Sequence, residues 1–173
     1  TTAATVSGGT LSGLLGTDSV VLAQSGTFAD KNVGTGKVVT VANSVAGADA
    51  SNYVLSNASQ AATANITAAT LTVSGTTATN KVYDATTAAT VSGGTLSGVL
   101  GADSVTLAQS GSFADKNVGT GKVVTVANSV AGSDAGNYVL STAGQTTTAN
   151  ITAATLTRSE EDTSELQSRL HLV

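Results

Sequence analysis

The sequence contains no cysteine, proline, methionine or tryptophan. Without cysteine there are no disulfides, no thiolate catalysis and no zinc sites built on thiolates. Only 10% of the residues are charged, against about 25% in ordinary globular proteins. The net charge of −4 does not suit nucleic acid, which requires a basic surface. No apolar run approaches the roughly 20 residues of a membrane-spanning helix, so neither nucleic acid nor a membrane span is expected.

Histidine, glutamate and arginine are also missing from residues 1–157, whose charged residues are five lysines and seven aspartates. A nucleophile with its base and acid cannot be assembled from this set, and the glycines follow no phosphate-binding pattern. The carboxylates are too sparse for a calcium loop. We therefore expect no enzymatic activity, no catalytic residue, no cofactor and no metal site.

The chain repeats itself with an offset of 85 residues. Residues 1–72 reappear as residues 86–157, and only 10 of the 72 positions differ. This period exceeds the ~20–50 residues of a solenoid unit and suits a small domain. We expect an N-terminally truncated first repeat over residues 1–68 and a complete second repeat over residues 69–157. The first copy has no counterpart of residues 71–85, so its sheet is expected to carry an unpaired edge.

Small and β-branched residues dominate each copy, and they favour strands over helices. Residues 122–130 form the strongest predicted strand, and turns of Gly, Ser and Asn separate it from its neighbours. Other strands or extended stretches are predicted over residues 66–73, 80–91, 104–113, 137–141 and 147–156. Residues 96–100 have room for one helical turn. The pattern predicts an all-β fold of tandem, small antiparallel β-sandwich-like (Ig-like) modules.

Five residues are expected to have structural roles. Tyr83, Phe113 and Tyr138 are the aromatic residues of the complete repeat, and aromatic side chains bury the most area. Asp134 and Tyr138 belong to D-A-G-N-Y, which resembles the D-x-G-x-Y of an Ig-type tyrosine corner, where the hydroxyl binds an upstream backbone group. Tyr53 holds the same position in the first copy. Ligand contact is the alternative interpretation of this motif.

Lysine and aspartate also occur together in short motifs. The sequence D-K-N-V-G at residues 30–34, repeated at residues 115–119, is typical of a polar turn, with calcium binding as the alternative. Lys81 is spaced to form a salt bridge with Asp84, and Lys122 with a neighbouring Asp or Asn. A Lys–Asn isopeptide bond is the covalent alternative for these lysines.

Several motifs together resemble the YDG-type repeat of filamentous-haemagglutinin-like adhesins of Gram-negative bacteria. They are N-K-V-Y-D-A-T-T-A at residues 80–88, D-A-G-N-Y-V at residues 134–139 and A-N-I-T-A-A-T-L at residues 149–156. The resemblance covers residues 1–157. It departs from the family pattern at Ala85, where the namesake glycine would stand.

The resemblance implies a secreted protein of the bacterial cell surface, exported by two-partner secretion, and it supplies no catalytic residues. The chain is then expected to be a structural spacer, or stalk repeat, whose partners are the neighbouring repeats. The alternative is a weak carbohydrate- or protein-binding module that acts by avidity on a host glycan or surface protein. An exposed aromatic residue or a convergent polar pocket would favour that alternative. An ice-binding threonine array is a third interpretation, which the scattered threonines disfavour.

Residues 158–173 differ sharply from both copies, since all the Glu, Arg and His of the chain lie there. Back-translated, this tail resembles the read-through of a sequencing adaptor, so we expect it to be adaptor- or vector-derived. A native linker or a capping helix that begins at Ser159 is the alternative. His171 is not a catalytic candidate under either interpretation.

Removal of residues 158–173 is predicted to leave the Tm of the β repeats unchanged within error, because nothing in either copy requires those residues. Thermal unfolding of the full and the shortened chain, followed by circular dichroism, tests this. A Tm lowered by several degrees would show instead that the tail docks as a native cap.

Overall fold

The structure is a computed structural model that describes residues 1–158. The expectations for the tail, including those for Ser159 and His171, lie outside the described residues. The described residues contain fourteen strands, two short 3-10 turns and no α-helix, so the predicted all-β class is confirmed. Within the same residues, no helix has the length and apolar character that crossing a bilayer requires.

Five strands lie before residue 75, and a 3-10 turn, Ala50–Asn52, separates the third from the fourth. They are β1 (Ala3–Ala4), β2 (Val21–Phe28), β3 (Gly34–Ala46), β4 (Ser59–Ile66) and β5 (Ala69–Ser74). Nine strands follow, with the second 3-10 turn, Ala135–Asn137, before β13. They are β6 (Thr77–Ala78), β7 (Lys81–Val82), β8 (Ala88–Ala89), β9 (Val91–Ser92), β10 (Thr95–Ser97), β11 (Thr106–Phe113), β12 (Gly119–Ala131), β13 (Tyr138–Leu140) and β14 (Gly144–Thr152).

The described chain forms two compact units, and neither is one continuous segment. The first unit comprises residues 1–71, 98–106 and 131–141, and the second comprises residues 72–97, 107–130 and those from 142 onward. Two segments of the second sequence copy therefore belong to the first unit. The compact units do not follow the sequence copies. The repeat boundaries expected after residues 68 and 157 therefore remain predictions about the sequence period.

The first unit contains a four-stranded antiparallel sheet in the order β1-β2-β3-β4. Val39 and Val41 alternate along β3 with exposed residues and pack against Phe28 of β2. Four partly buried side chains complete this core: Ala4, Val6, Ala64 and Ile66. Strand β4 ends the sheet, so it has an open edge within the described residues. The equivalent edge of the second unit, that of β14, pairs with β7.

The second unit contains a five-stranded sheet in the order β7-β14-β12-β11-β8 and the pair β6-β9. Its core consists of five buried side chains, those of Phe113, Val124, Val126, Ala149 and Ile151. Asn128 of the same unit is also buried, without an unsatisfied side-chain atom. Its amide donates to the carbonyl of Thr142 at 3.0 Å and accepts from Gln109 at 2.8 Å, which offsets the cost of removing it from water.

Two strand pairings are parallel, so the prediction of purely antiparallel pairing is wrong. In the first unit β13 pairs in parallel with the first three residues of β5, and in the second unit β14 pairs in parallel with β7. The paired residues are about 70 positions apart in sequence, which provides the long crossover that parallel strands need. Alternation of side chains along a strand carries no information on the direction of its partner.

The helical turn predicted over residues 96–100 is also wrong. Its first part belongs to β10, which pairs with Thr72–Ser74 in antiparallel register. Gly98 then adopts a φ of +100°, which an α-helix excludes. Only Leu96 and Ser97 of these residues lie in the strand, and the positive φ of Gly98 ends it.

The turn after Tyr83 contains the only residue other than glycine with a positive φ within residues 1–158, Ala85, at +65°. Asp84 caps this turn, because its Oδ1 accepts hydrogen bonds from Lys81 Nζ at 2.8 Å and from Thr86 N at 2.9 Å. These bonds, that to Lys81 first, lower the pKa of Asp84 to about 2. The predicted Lys81–Asp84 salt bridge is thus confirmed, and it holds an alanine in a conformation that favours glycine.

Ala85→Gly is predicted to raise the free energy of unfolding by about 0.5–1 kcal/mol, because glycine adopts a positive φ without the Cβ penalty. Urea unfolding of the full chain measures this difference. Ala114→Gly is the matched control, since Ala114 is exposed and has no positive φ. It should destabilise the protein through the added freedom of the unfolded chain. Equal effects of the two replacements would contradict the argument.

Candidate functional site

A turn of the first sequence copy contacts a corner of the second copy within the first compact unit. Each copy has one such turn, which we call a lysine turn, and one such corner, which we call a tyrosine corner. The first lysine turn is residues 30–34 and the second is residues 115–119; the first tyrosine corner is residues 15–19 with 49–53, and the second is residues 100–104 with 134–138.

The second tyrosine corner is a hydrogen-bond network around the hydroxyl group of Tyr138. This hydroxyl accepts from Leu100 N at 3.0 Å and donates to Asp103 Oδ2 at 2.7 Å. Beside it, Asp134 Oδ2 accepts from Ser104 N at 2.9 Å. One oxygen of each carboxylate therefore builds the corner, and the Oδ1 atoms remain available for another partner.

Local backbone geometry places the acid and the phenol of this corner. The 3-10 turn Ala135–Asn137 has Asp134 as its N-cap and Tyr138 as its C-cap. The chain enters this turn through Gly132, whose φ is +122°. A Cβ at Gly132 would lie 2.2 Å from the carbonyl oxygen of Ser104. The close approach that brings Asp134 to Ser104 therefore requires glycine at this position.

Lys31 of the first lysine turn supplies the charge that the second corner lacks. Its ammonium group pairs with Oδ1 of Asp103 and, at 2.8 Å, with Oδ1 of Asp134. The carboxylate side chains are only 15% and 19% exposed, against 41% for Lys31. The bonds to Lys31 are the main reason that the pKa values of both aspartates lie below the usual range, and they raise the pKa of Lys31 above its own.

Two amide hydrogen bonds fix the orientation of the docked turn. Val33 N donates to Asn137 Oδ1 at 2.9 Å, and Asn137 Nδ2 donates to Asn32 Oδ1 at 3.2 Å. The amide of Asn137 is thus used as acceptor and as donor. The turn itself is closed by Asp30, which accepts from Asn32 N at 2.8 Å and pairs with Lys37.

The predicted polar turns serve docking and internal closure, and their aspartates do not converge. No group of three or more acidic, histidine or cysteine residues that could hold a metal ion occurs in the part of the chain that the structure describes. The predicted salt bridge of Lys122 is found, with Asp115 as its partner. Lys122 also donates to the carbonyl of Asn117 at 2.9 Å. Next to each lysine turn, a lysine three residues after its end therefore balances the charge of its aspartate.

The five residues expected to be structural fall into three groups. Asp134 and Tyr138 meet in the second tyrosine corner, where Tyr138 is 7% exposed. Tyr53 is half-buried in the first corner. Phe113 is buried in the core of the second unit, and Tyr83 packs against that core.

Sequence reasoning did not identify Asp103, Asn137 or Lys31 as parts of one site. Asp103 lies in no motif, and 72 residues separate it from Lys31. Contacts at such separations leave no local period, so the lysine turn and the tyrosine corner were found as separate motifs without a relationship.

The first tyrosine corner repeats three internal hydrogen bonds of the second. Leu15 N donates to the hydroxyl of Tyr53 at 3.0 Å, and this hydroxyl donates to Asp18 Oδ2 at 2.7 Å. Asp49 Oδ2 accepts from Ser19 N at 2.8 Å. Within residues 1–158 the Oδ1 atoms of its two carboxylates have no hydrogen bond or ion pair. The two corners therefore differ in the contact with a lysine.

Comparison with protein families gives a match to the YDG domain, over residues 1–63 and again over residues 67–149. Each matched segment contains one lysine turn and one tyrosine corner. No curated protein and no solved structure matches the chain.

Lys31→Gln is predicted to lower the Tm of the protein, whereas Lys116→Gln in the second lysine turn should leave it unchanged at low protein concentration. The reason is that Lys116 has no ion pair within residues 1–158, so only the first replacement leaves two carboxylates without a counter-charge. Differential scanning calorimetry of both variants tests this, and equal losses would contradict it.

The Tm difference between the wild type and Lys31→Gln should also depend on pH. The pKa values of Asp103 and Asp134 lie below their ordinary 3.8, so their contribution is complete above about pH 4 and is lost as the pH falls through the lowered values. The pKa of Lys31 lies above its ordinary 10.5, so its contribution is complete below that value and is lost at higher pH. A Tm difference between the two proteins that keeps its neutral-pH size below pH 3 would contradict the assignment.

Proposed function

The chain belongs to the YDG-domain family, and from this premise and the docked lysine turn we propose that it is a structural spacer, a stalk repeat of a secreted adhesin. The proposal places the parent protein on the surface of a Gram-negative bacterium, with export by two-partner secretion and a filamentous-haemagglutinin-like architecture. The observation that carries it is the contact of the first lysine turn with the second tyrosine corner, which joins consecutive sequence copies.

A spacer must hold its repeats in a fixed orientation, and the contact has the form that this requires. Lys31 pairs with two carboxylates, while Val33 and Asn32 bond the amide of Asn137. Exposed ion pairs are individually weak. Four bonds from three successive residues, however, restrain rotation of the turn as well as its distance from the corner. Such a contact sets geometry more than it adds stability.

The aromatic residues give little support to ligand binding. Phe28, Phe113 and Tyr138 are buried, and Tyr53 and Tyr83 are half-buried, whereas glycan sites commonly present aromatic faces and a cleft with convergent polar groups. The Ig-like sandwich form of each repeat is part of the proposal. Its support is the tyrosine corner, in which a phenol hydroxyl bonds an upstream backbone N–H as in Ig-type domains.

One observation favours the alternative, a weak carbohydrate- or protein-binding module. A groove of about 310 Å³ in the first unit is lined by side-chain amides that include those of Asn43 and Gln60. In the second copy the counterpart of Gln60 is Gln145, whose amide donates to Thr76 Oγ1 at 2.6 Å. Thr76 has no counterpart in the first copy. The groove therefore lies where the second copy holds a segment of the chain itself, which is a simpler account than a ligand site.

Distance measurements within the first unit test the spacer proposal. The sequence has no cysteine, so Thr40→Cys and Val139→Cys, both at exposed strand positions, carry spin labels at unique sites. Pulsed electron paramagnetic resonance should give one narrow distance distribution. Lys31→Gln should broaden it and Lys116→Gln should not. A broad distribution in the parent protein would show that the contact fixes no geometry.

Binding experiments with the same chain decide between the two functions. The spacer proposal expects no saturable binding to a glycan array or to host cells. Saturable binding that Asn43→Ala with Gln60→Ala abolishes, without a change in Tm, would overturn it in favour of the binding module.

A further inference from the structure

The first tyrosine corner has every group that the second corner uses to bind a lysine turn. Asp18 and Asp49 correspond to the two aspartates that hold Lys31, and their Oδ2 atoms make the same internal bonds. Asn52 corresponds to the amide that orients the docked turn. We propose that this corner binds the second lysine turn of another copy of this chain, with Lys116 between Asp18 and Asp49, so that copies associate head to tail.

The exposure of the tyrosine and aspartate side chains agrees with a second corner that is covered and a first corner that is available for binding. Tyr138 is buried and Asp103 half-buried in the second corner, whereas Tyr53 is half-buried and Asp18 exposed in the first. Asn52 is exposed as well. The docked turn covers part of the second corner, and the pairing of β13 with β5, which residues 53–55 do not have, covers another part. Docking on the first corner would therefore cover the groups that the docked turn covers in the second.

The second lysine turn already has the conformation in which the first one docks. Asn117 N donates to Asp115 Oδ1 at 2.8 Å, and Lys122 pairs with the same aspartate, as the equivalent residues do in the first turn. Lys116 is exposed, and Val118 is 55% exposed. Because the turn is formed before it binds, association would cost little conformational entropy.

The residues of the contact are the same in both copies, so the geometry can be transferred. Lys-Asn-Val occupies residues 31–33 and 116–118, and the bonding residues of the two corners are identical. One neighbouring difference affects a carboxylate. Ser133 Oγ lies 3.3 Å from Asp134 Oδ2, and its counterpart, Ala48, has no hydroxyl group. The first corner therefore has one internal hydrogen bond fewer. The carboxylate oxygens that would accept hydrogen bonds from a lysine are the same in both corners.

This inference extends the spacer proposal and rests on it in one respect, because both use the contact between a lysine turn and a tyrosine corner. Within one chain the contact joins consecutive copies, whereas here it would join separate molecules. Opposite charges, two carboxylates against one ammonium group, specify a lysine turn as the occupant. A contact limited to these few bonds implies a weak association that responds to salt.

Zero-length cross-linking with a water-soluble carbodiimide tests the inference on the full chain. The reagent joins an amine and a carboxylate that are in contact, and a mixture of ¹⁴N and ¹⁵N protein distinguishes links between chains from links within one. The expected product joins Lys116 of one molecule to Asp18 or Asp49 of another. Its yield should rise with protein concentration and fall with added salt. The link from Lys31 to Asp103 or Asp134 should form within the chain at every concentration and serves as the internal reference.

Variants of exposed residues make the test specific. Lys116→Gln has no amine for the reagent at this position, so it is measured by analytical ultracentrifugation, where it should weaken the association by about tenfold or more because it removes charge-assisted hydrogen bonds. Asp18→Asn with Asp49→Asn should do the same. Lys116→Arg keeps the charge and should keep concentration-dependent association in analytical ultracentrifugation. None of these residues belongs to either hydrophobic core cluster, so folding should be retained.

Three outcomes would overturn the inference. They are a monomeric protein at millimolar concentration with the reference link intact, an association that Lys116→Gln does not weaken, and a Lys116 link that forms only within one chain. In each case a narrow label distance in the first unit would leave the spacer proposal standing. Saturable glycan binding, in contrast, would remove the spacer proposal without affecting the cross-link.

Discussion

The two oxygens of each aspartate carboxylate have different tasks in the second tyrosine corner, and the contact between the sequence copies depends on this division. Oδ2 bonds groups of the corner itself, Tyr138 for Asp103 and Ser104 N for Asp134. These bonds fix the carboxylates so that both Oδ1 atoms lie within reach of one ammonium group. A flexible acid would have to be ordered on binding, at a cost in side-chain entropy. Here the corner has already ordered both.

Such polar networks matter in this chain because its cores are small. Three buried side chains form the core cluster of the first unit and five form that of the second. A domain of this size buries a modest fraction of its surface, and Thr, Ser, Ala and Gly add little apolar area. Hydrogen bonds and ion pairs at a few places, such as the tyrosine corners, therefore fix how segments of the chain are positioned against each other. No buried side-chain polar atom within the described residues lacks a partner.

Much of the fold could be predicted because each strand carries its own alternating pattern. Strand β12 covers the predicted residues 122–130, and Phe113 lies in the predicted core. The parallel partners of β5 and β7 could not be predicted, since alternation is the same for either direction. The site was predicted in two halves. Lys31 and Asp103 come together only through the tertiary fold, which no local spacing records.

The open edge of β4 affects the order in which strands can pair as the chain emerges. Strand β7 pairs with the Ala-Asn-Ile-Thr sequence of residues 149–152, and residues 64–67 have the same sequence. A chain delivered from its N-terminus presents β7 to β4 before β14 exists. Two nearly identical edges then compete for one strand, and the earlier edge has the advantage of time. Native pairing must therefore be decided by positions at which the two edges differ, such as Ala61 and Ala62 of β4 against Thr146 and Thr147 of β14. The contacts of Thr76 with Gln109 and Gln145 do not discriminate, because Gln24 and Gln60 occupy the same places in the first copy. In a chain of near-copies, the few residues that are not repeated decide which copy a strand joins.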